Sequence, residues 1–484
     1  MFARHSKHAL ALIACITLCR SVSAQEYDLV LRGGRVMDPE SGLDAIRDVG
    51  IRGGTIVRIS GDRLTGKRVL NAEGLVVAPG FIDLHQHDQD LGSTRLKAFD
   101  GVTTALEMEI GVPDVSSFLR EKAGHSLINY GTSASHGAAR GLVFGAPLPP
   151  GTILPKSGPA TDKPATDEQL QQVGTRLRHE LDAGAIGIGM GLQYTPGATR
   201  WEVIQTFRLA ADRGVPVFTH IRTTGRLEPG SSIEAVSEVI GAAAISGAAL
   251  HIVHINSSCL RDAPYCISLI DGARARGLDV TVEAYPYTAG MTYINSALFN
   301  PGWRDRLGID YDALEIPETG EHLTQHRFEE LHRSDKPQRV LEHLNTQDAV
   351  DLVIANPLVM IASDGEREHP RNAGTYSRIL ARYVRKLRSI TLMEAIRKMS
   401  LMPAQRLEKA TPAAHAKGRL QEGADADIIA FDPSTVADRS TYQHPMESST
   451  GMRFVIVNGT LLIDEERMEP NTFPGRALTR DGRK

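Results

Sequence analysis

His85 and His87 flank Gln86 at the end of the apolar run Phe81-Ile82-Asp83-Leu84. Side chains two apart on an extended strand point the same way, so the two imidazoles can converge on one ion. A His-x-His pair gains weight only from what else the chain brings to the same place. His220 follows Val217-Phe218-Thr219, His254 follows His251-Ile252-Val253, and Asp364 follows Ile361-Ala362-Ser363. Each closes an apolar run. Zinc takes imidazole and carboxylate readily. The spacing therefore predicts a zinc site of one or two ions built from His85, His87, His220, His254 and Asp364. His251 lies deeper on its run than His254, and packing or support of a ligand is the role expected of it.

Glu107 and Glu109 end a further run, Thr103-Thr104-Ala105-Leu106, and share a face. Two acids directed into one interior repel unless a cation or a proton lies between them. A carboxylate at this place can bridge two metal ions. Glu109, nearer the strand tip, is the first choice; Glu107 is the alternate ligand or a supporting partner.

Elements that hold such residues together follow from the rhythm of the chain. Eight strand-like runs begin at 80–85 and 103–109 and continue near 130–136, 185–190, 215–220, 250–254, 279–285 and 359–364. Helical stretches such as 167–183 and 232–246 lie between them. Eight β-α units over roughly 300 residues predict an α/β fold, a (β/α)8 TIM-type barrel whose reactive side chains sit where strands end and loops begin. The charged stretch 300–350 breaks the rhythm and reads as an insertion near the barrel mouth. Short glycine-punctuated strands precede the barrel, among them Tyr27-Asp28-Leu29-Val30-Leu31 and Thr55-Ile56-Val57-Arg58-Ile59. Similar strands follow it at 426–431, 453–459 and 461–463. One small β-sandwich built from both chain ends is expected, with parts at 25–78 and 411–484 around a barrel at 79–410.

The chain has 484 residues, 41% of them hydrophobic and 23% charged, which suits a large folded core plus an accessory domain. A net charge of −4 gives no case for nucleic acid or an anionic membrane surface as partner. Arg4 and Lys7, the apolar run 9–19 and Val22-Ser23-Ala24 form the pattern of a signal peptide over 1–24, so export to the periplasm or medium is expected. A lipoprotein box ending at Cys15 is the alternative. No later run is long enough for a membrane span. Oligomeric state is not indicated. Beyond Cys15 and Cys19 only Cys259 and Cys266 remain. Seven apart on one continuous helix, they would lie about 10 Å apart and out of reach of each other.

The combination of motifs carries a resemblance. It comprises Pro79-Gly80-Phe81-Ile82-Asp83 before His85 and His87, Asp100-Gly101-Val102-Thr103-Thr104, and Gly191-Leu192-Gln193-Tyr194. It continues through Thr219-His220-Ile221-Arg222, Glu283-Ala284-Tyr285-Pro286-Tyr287, Ser363-Asp364, His369-Pro370-Arg371 and Gly423-Ala424-Asp425-Ala426-Asp427. Together these resemble the amidohydrolase superfamily, in its branch of N-acyl-D-amino-acid deacylases and the D-glutamate deacylase subgroup.

The resemblance implies a small-molecule substrate with a free carboxylate, an N-acyl-D-amino acid with an acidic side chain favoured. It implies a zinc-activated water, with Asp364 as general base and then general acid. Arg371 is implied as the holder of the substrate α-carboxylate and Tyr285 as a substrate contact. Arg222, two past His220, reaches either a second substrate carboxylate or a structural ion pair. Three positions depart from the branch. Ile110 stands where the branch places a metal-bridging cysteine, Asn256 where it places a substrate-binding lysine, and the 185–190 run lacks the carboxylated lysine of hydantoinase-like relatives. A dipeptidase or cyclic-amide hydrolase of the same superfamily is the rival enzyme; a periplasmic metal-binding protein without turnover is the rival outside enzymes.

Overall fold

The structure is a computed structural model of the 484-residue chain, in which residues 27–148, 152–155, 158–334 and 336–482 are described. The expected signal peptide, with Cys15 and Cys19, lies outside the described residues. Five strands come first: β1 (Tyr27–Asp38), β2 (Leu43–Arg52), β3 (Thr55–Ser60), β4 (Gly66–Asn71) and β5 (Val76–Pro79). Then come β6 (Phe81–Asp83), β7 (Val102–Val112), β8 (Asn129–Ser135), β9 (Ile188–Gly191), β10 (Val217–His220), β11 (Leu250–Ile252) and β12 (Val280–Ala284). An excursion contributes β13 (Ala289–Tyr293), β14 (Leu314–Ile316), β15 (Glu321–His322) and β16 (Arg339–His343) before β17 (Val359–Ile361). The chain closes with β18 (Ile428–Phe431), β19 (Met452–Val457), β20 (Thr460–Asp464) and β21 (Arg467–Met468).

Strands β6 to β12 and β17 form one parallel eight-stranded sheet, ordered β17-β12-β11-β10-β9-β8-β7-β6, with helices between most neighbours. This is the (β/α)8 barrel. Its strands are short and buried on both faces, as parallel strands covered by helices must be. Helices start where the sequence caps them. Thr166 accepts from the Gln169 amide while the Gln169 side chain returns to Thr166, a capping box that opens Asp167–Asp182. The barrel interior is plugged by Ile82, Leu84, Leu106, Met108, Ile186, Phe218, Val253 and Met360.

The first and last barrel strands meet just beyond their tips. His87 N donates to Gly365 O at 3.0 Å and Gly365 N to His85 O at 3.1 Å. A side chain on Gly365 would come within 2.1 Å of Gln86 Oε1, so the seam needs glycine. Below it, the buried Asp83 carboxylate pairs with Lys97 Nζ at 2.9 Å. The same carboxylate accepts from Ser363 N at 3.0 Å and Ser363 Oγ at 2.5 Å, tying the end of β6 to the end of β17.

Both chain ends build a second sheet, ordered β21-β20-β19-β18-β5-β1-β2-β3 with β4 on β1. β18 joins β5 antiparallel, so the C-terminal strands complete what the N-terminal ones begin. Leu29, Val49, Ile56, Val77, Ile428 and Phe454 share its core. A third, antiparallel sheet, β13-β16-β14-β15, spans the excursion and begins at 289, earlier than the composition shift near 300 suggests. Phe299, Trp303, Leu307, Phe328 and Val340 pack beneath it.

Cys259 and Cys266 do not share a continuous helix. The helix breaks at Leu260, whose φ is 48°, and restarts at Ala263, and both thiols are free and buried. Among the described residues no helix is long and apolar enough to cross a membrane.

Candidate metal centre

His85 and His87 leave the tip of β6, and both imidazoles turn to the barrel axis. His85 Nδ1 lies 2.7 Å from Glu283 Oε1, and His87 Nδ1 lies 2.7 Å from Glu107 Oε2. Those contacts assign the ring protons to Nδ1 and leave each Nε2 with a lone pair. The two Nε2 atoms are 3.1 Å apart. Glu109 Oε2 lies 3.1 Å from His85 Nε2 and 3.2 Å from His87 Nε2. Asp364 Oδ1 lies 3.3 Å from the first and 3.2 Å from the second. Four acceptors thus face one another with no donor between them.

A cation resolves that arrangement. Ligand atoms of a tetrahedral zinc ion with bonds of about 2.0–2.1 Å lie about 3.3 Å apart, and five of the six separations here are 3.1–3.3 Å. Electrostatics agree. Burial opposes charge on His85, yet Asp364 and Glu109 hold its pKa well above the ordinary imidazole value. Burial likewise opposes charge on His87, and Glu107 and Asp364 prevail. Burial also disfavours ionised Glu109, but His85, His220 and His254 hold its carboxyl well below the usual range. The donor set fits zinc.

A second group shares Glu109. Its Oε1 lies 2.8 Å from His220 Nδ1 and 2.9 Å from His254 Nε2, and those two nitrogens are 3.1 Å apart. Burial and the neighbouring His254 lower the pKa of His220, favouring the neutral imidazole that a metal needs. His254 Nδ1 is held by Ser258 Oγ at 2.9 Å. Glu109 therefore presents one oxygen to each group: His85, His87 and Asp364 on one side, His220 and His254 on the other. Two of these residues pay in backbone strain, His254 at φ 27° and Asp364 at φ 52°, each of order 1–3 kcal/mol.

Glu107 stands outside both groups. Besides holding His87, its Oε1 accepts from Ile110 N at 3.2 Å and Gly111 N at 3.3 Å, stabilising an irregularity in β7. Glu283, which follows Val280-Thr281-Val282 in the chain, supports His85 and also meets His251 Nε2 at 3.0 Å. His251 Nδ1 reaches Thr281 Oγ1 at 2.7 Å, so His251 lies behind the site.

Arg371 opens the helix Arg371–Arg378, fully buried. Its Nη1 is 2.9 Å from Asp364 Oδ2 and its Nη2 is 3.1 Å from Glu366 Oε2, while Nε has no partner. The guanidinium stacks 4.8 Å from the Tyr285 ring, whose hydroxyl is also unpartnered. Tyr285 lines a cavity with His87, Glu109, His220, His254 and Asp364. Arg222 is not among the lining residues. Its Nε and Nη2 grip Glu238 at 2.8 and 2.6 Å and its Nη1 donates to Pro196 O at 3.0 Å, the structural ion pair that is one of the two readings expected of it.

Comparison with known proteins points the same way. Residues 76–462 match the amidohydrolase family. An N-acyl-D-glutamate deacylase of Alcaligenes xylosoxydans xylosoxydans is 31% identical over 94% of this chain and 97% of its own length. A D-aminoacylase of the same organism is 29% identical over 94% and 98%. A crystal structure of the N-acyl-D-glutamate deacylase of Bordetella bronchiseptica, complexed with zinc and a phosphonate mimic of the tetrahedral intermediate, superposes with a TM-score of 0.79 at 26% identity. It covers 94% of this chain and 100% of that one.

Proposed function

The chain belongs to the amidohydrolase family, and on that premise we propose that it hydrolyses the linear amide of N-acyl-D-amino acids with zinc as its metal. The observation that carries this reading is the convergence of His85, His87, Asp364, His220 and His254 on the two oxygens of Glu109. Those residues would hold the metal, one ion or two. Zinc supplies Lewis acidity, which makes water nucleophilic near neutral pH and polarises a carbonyl.

The chain's own groups do the rest. Asp364 has one oxygen toward the donor cluster and the other on Arg371. It accepts the proton of the attacking water and returns it to the departing amine nitrogen. Asp364 is held ionised despite its burial by Arg371 and the neighbouring histidines. Arg371 keeps donors beyond those facing Asp364 and Glu366, and a planar guanidinium suits the substrate α-carboxylate. Tyr285, with its unpartnered hydroxyl, hydrogen-bonds the substrate.

Hydrolysis of N-acetyl-D- and N-acetyl-L-amino acids by zinc-loaded protein, with metal content measured in parallel, tests this. Turnover of D-substrates by zinc-containing protein supports it; turnover confined to L-substrates, or zinc without turnover of any amide, overturns it. Export is proposed as well, on the basic and apolar pattern of residues 1–24, and the N-terminus of the mature protein recovered from culture tests that.

A further inference from the structure

Glu342 lies on β16, in the excursion, and lines the same cavity as the metal centre. It is 4% exposed, and its Oε1 has no hydrogen-bond partner. Opposite it on β13 stands Gly290. A Cβ there would fall 3.0 Å from Glu342 Oε2 and 3.7 Å from the Tyr285 hydroxyl, so glycine keeps the space beside both groups clear. Met291, Leu298 and Leu307 supply apolar wall. Among the described residues, no lysine or arginine lines this cavity. Arg371 is engaged with Asp364 and Glu366 and is assigned above to the substrate α-carboxylate, and Arg222 is tied to Glu238.

We propose that Glu342 selects the substrate side chain, favouring an aliphatic stem that ends in a cation, an ammonium or guanidinium. This rests on the amide-hydrolase reading above and names the substrate class within it. An acidic side chain, which the family resemblance implies, would meet Glu342 and Glu366 and no lysine or arginine among the residues that line the cavity. Asn256, at the place of the branch's lysine, offers no charge, and its Oδ1 accepts from Tyr285 N at 3.3 Å. A buried carboxyl without a partner is costly, whereas a charge-assisted hydrogen bond to a cation satisfies it. Burial pushes the Glu342 carboxyl up to about 8, against the pull of Arg371, as befits a group lacking its counter-charge.

The test compares kcat/KM of zinc-loaded enzyme for N-acetyl derivatives of D-lysine, D-arginine, D-norleucine and D-glutamate. D-Norleucine matches the lysine stem without the charge. The lysine substrate is expected to exceed the norleucine one by about ten- to hundred-fold, with glutamate poorest. In Glu342→Gln the lysine-to-norleucine ratio should fall about tenfold or more. Calorimetric binding of the products D-lysine and D-norleucine to wild type and variant gives a second readout, with the same loss of discrimination expected. Turnover of the norleucine substrate with glutamate equal to or better than lysine overturns this inference and leaves the amidase reading standing. A lysine-to-norleucine ratio unchanged in a folded Glu342→Gln protein also overturns it. No turnover of any member of the series overturns both.

Discussion

Glu283 gives the sharpest test of the metal centre because it touches no proposed substrate and holds His85 from the side away from the donor cluster. It is 1% exposed and accepts from two rings, His85 Nδ1 at 2.7 Å and His251 Nε2 at 3.0 Å. Burial works against its ionisation, yet the two histidines hold its carboxyl down at about 2. Glu283→Gln keeps the shape and one acceptor oxygen. His251 can then move its proton to Nδ1 and donate to Thr281 Oγ1, 2.7 Å away, so His85 retains its tautomer and loses only the negative charge behind it. Glu283→Met removes both acceptors. His85 is then free to carry its proton on Nε2, the atom that must face the metal. Loss of such support typically weakens metal affinity 10–100-fold, about 1.4–2.7 kcal/mol. The Gln variant should fall near the low end and the Met variant at or beyond the high end. Zinc dissociation constants from competition with a chelator, alongside circular dichroism to establish folding, measure this. A folded Met variant that binds zinc as tightly as wild type refutes the role assigned to Glu283, and a Gln variant weaker than the Met variant refutes the tautomer argument.

Four further outcomes follow from the geometry. Asp364→Asn should retain bound zinc by elemental analysis while turnover falls about 10²–10⁴-fold; near-normal turnover would exclude Asp364 as the proton carrier. Lys97→Met breaks the buried pair with Asp83 and should cost about 3–5 kcal/mol in chemical denaturation, as such unpaired buried charges do; a loss under 1 kcal/mol would contradict it. Arg222→Gln should lower stability through the loss of Glu238 as partner and leave KM for N-acetyl-D-amino acids within about twofold, a ΔΔG of about 0.4 kcal/mol, whereas a large rise in KM would restore Arg222 as a substrate contact. Glu342, raised from 4.5 to about 8, holds a proton in the folded state that the unfolded chain releases, so its share of stability declines as pH rises from about 5 to 8. Glu342→Gln lacks that decline, and the variant's stability relative to wild type should rise across the same window; a difference flat with pH contradicts the raised carboxyl.

The barrel was legible because its strands are short apolar runs closed by polar residues, a pattern that local sequence carries whole. Strand periodicity also placed His85 beside His87, and strand ends placed His220, His254 and Asp364 near one rim. Three features were less legible, each for a physical reason. Glu107 and Glu109 share a face by the period of two, and only the irregularity at Ile110 and Gly111 separates their roles. Arg222 lies on the expected face but finds Glu238 sixteen residues on, a choice made by helix packing. Glu342 sits in the excursion, where β13 and β16 pair across about fifty residues. Nothing local marks it as facing the metal; Gly290 opposite was the available sign, and it gains meaning only once the strands are paired.

The same irregularity explains how the site manages without the cysteine that the resemblance places at Ile110. Neighbouring residues on a regular strand point to opposite faces, so an acid at 109 would not fill the place of a thiolate at 110. Here Glu107 holds the amides of Ile110 and Gly111, and the β7–β8 register shifts between Glu107 and Val112. Glu109 comes to face the ring of histidines. A thiolate offers one atom to both metal positions; a carboxylate offers two, and each Glu109 oxygen meets a different group. The consequence separates Glu109 from Asp364, which borders one group only. Glu109→Gln keeps one carbonyl oxygen and loses the shared charge, so it should weaken zinc binding by both groups, whereas Asp364→Asn, which should retain bound zinc, leaves the His220 and His254 group untouched. Zinc titration of each variant against wild type distinguishes them, and a Glu109→Gln protein with wild-type affinity and stoichiometry would remove Glu109 from the bridge.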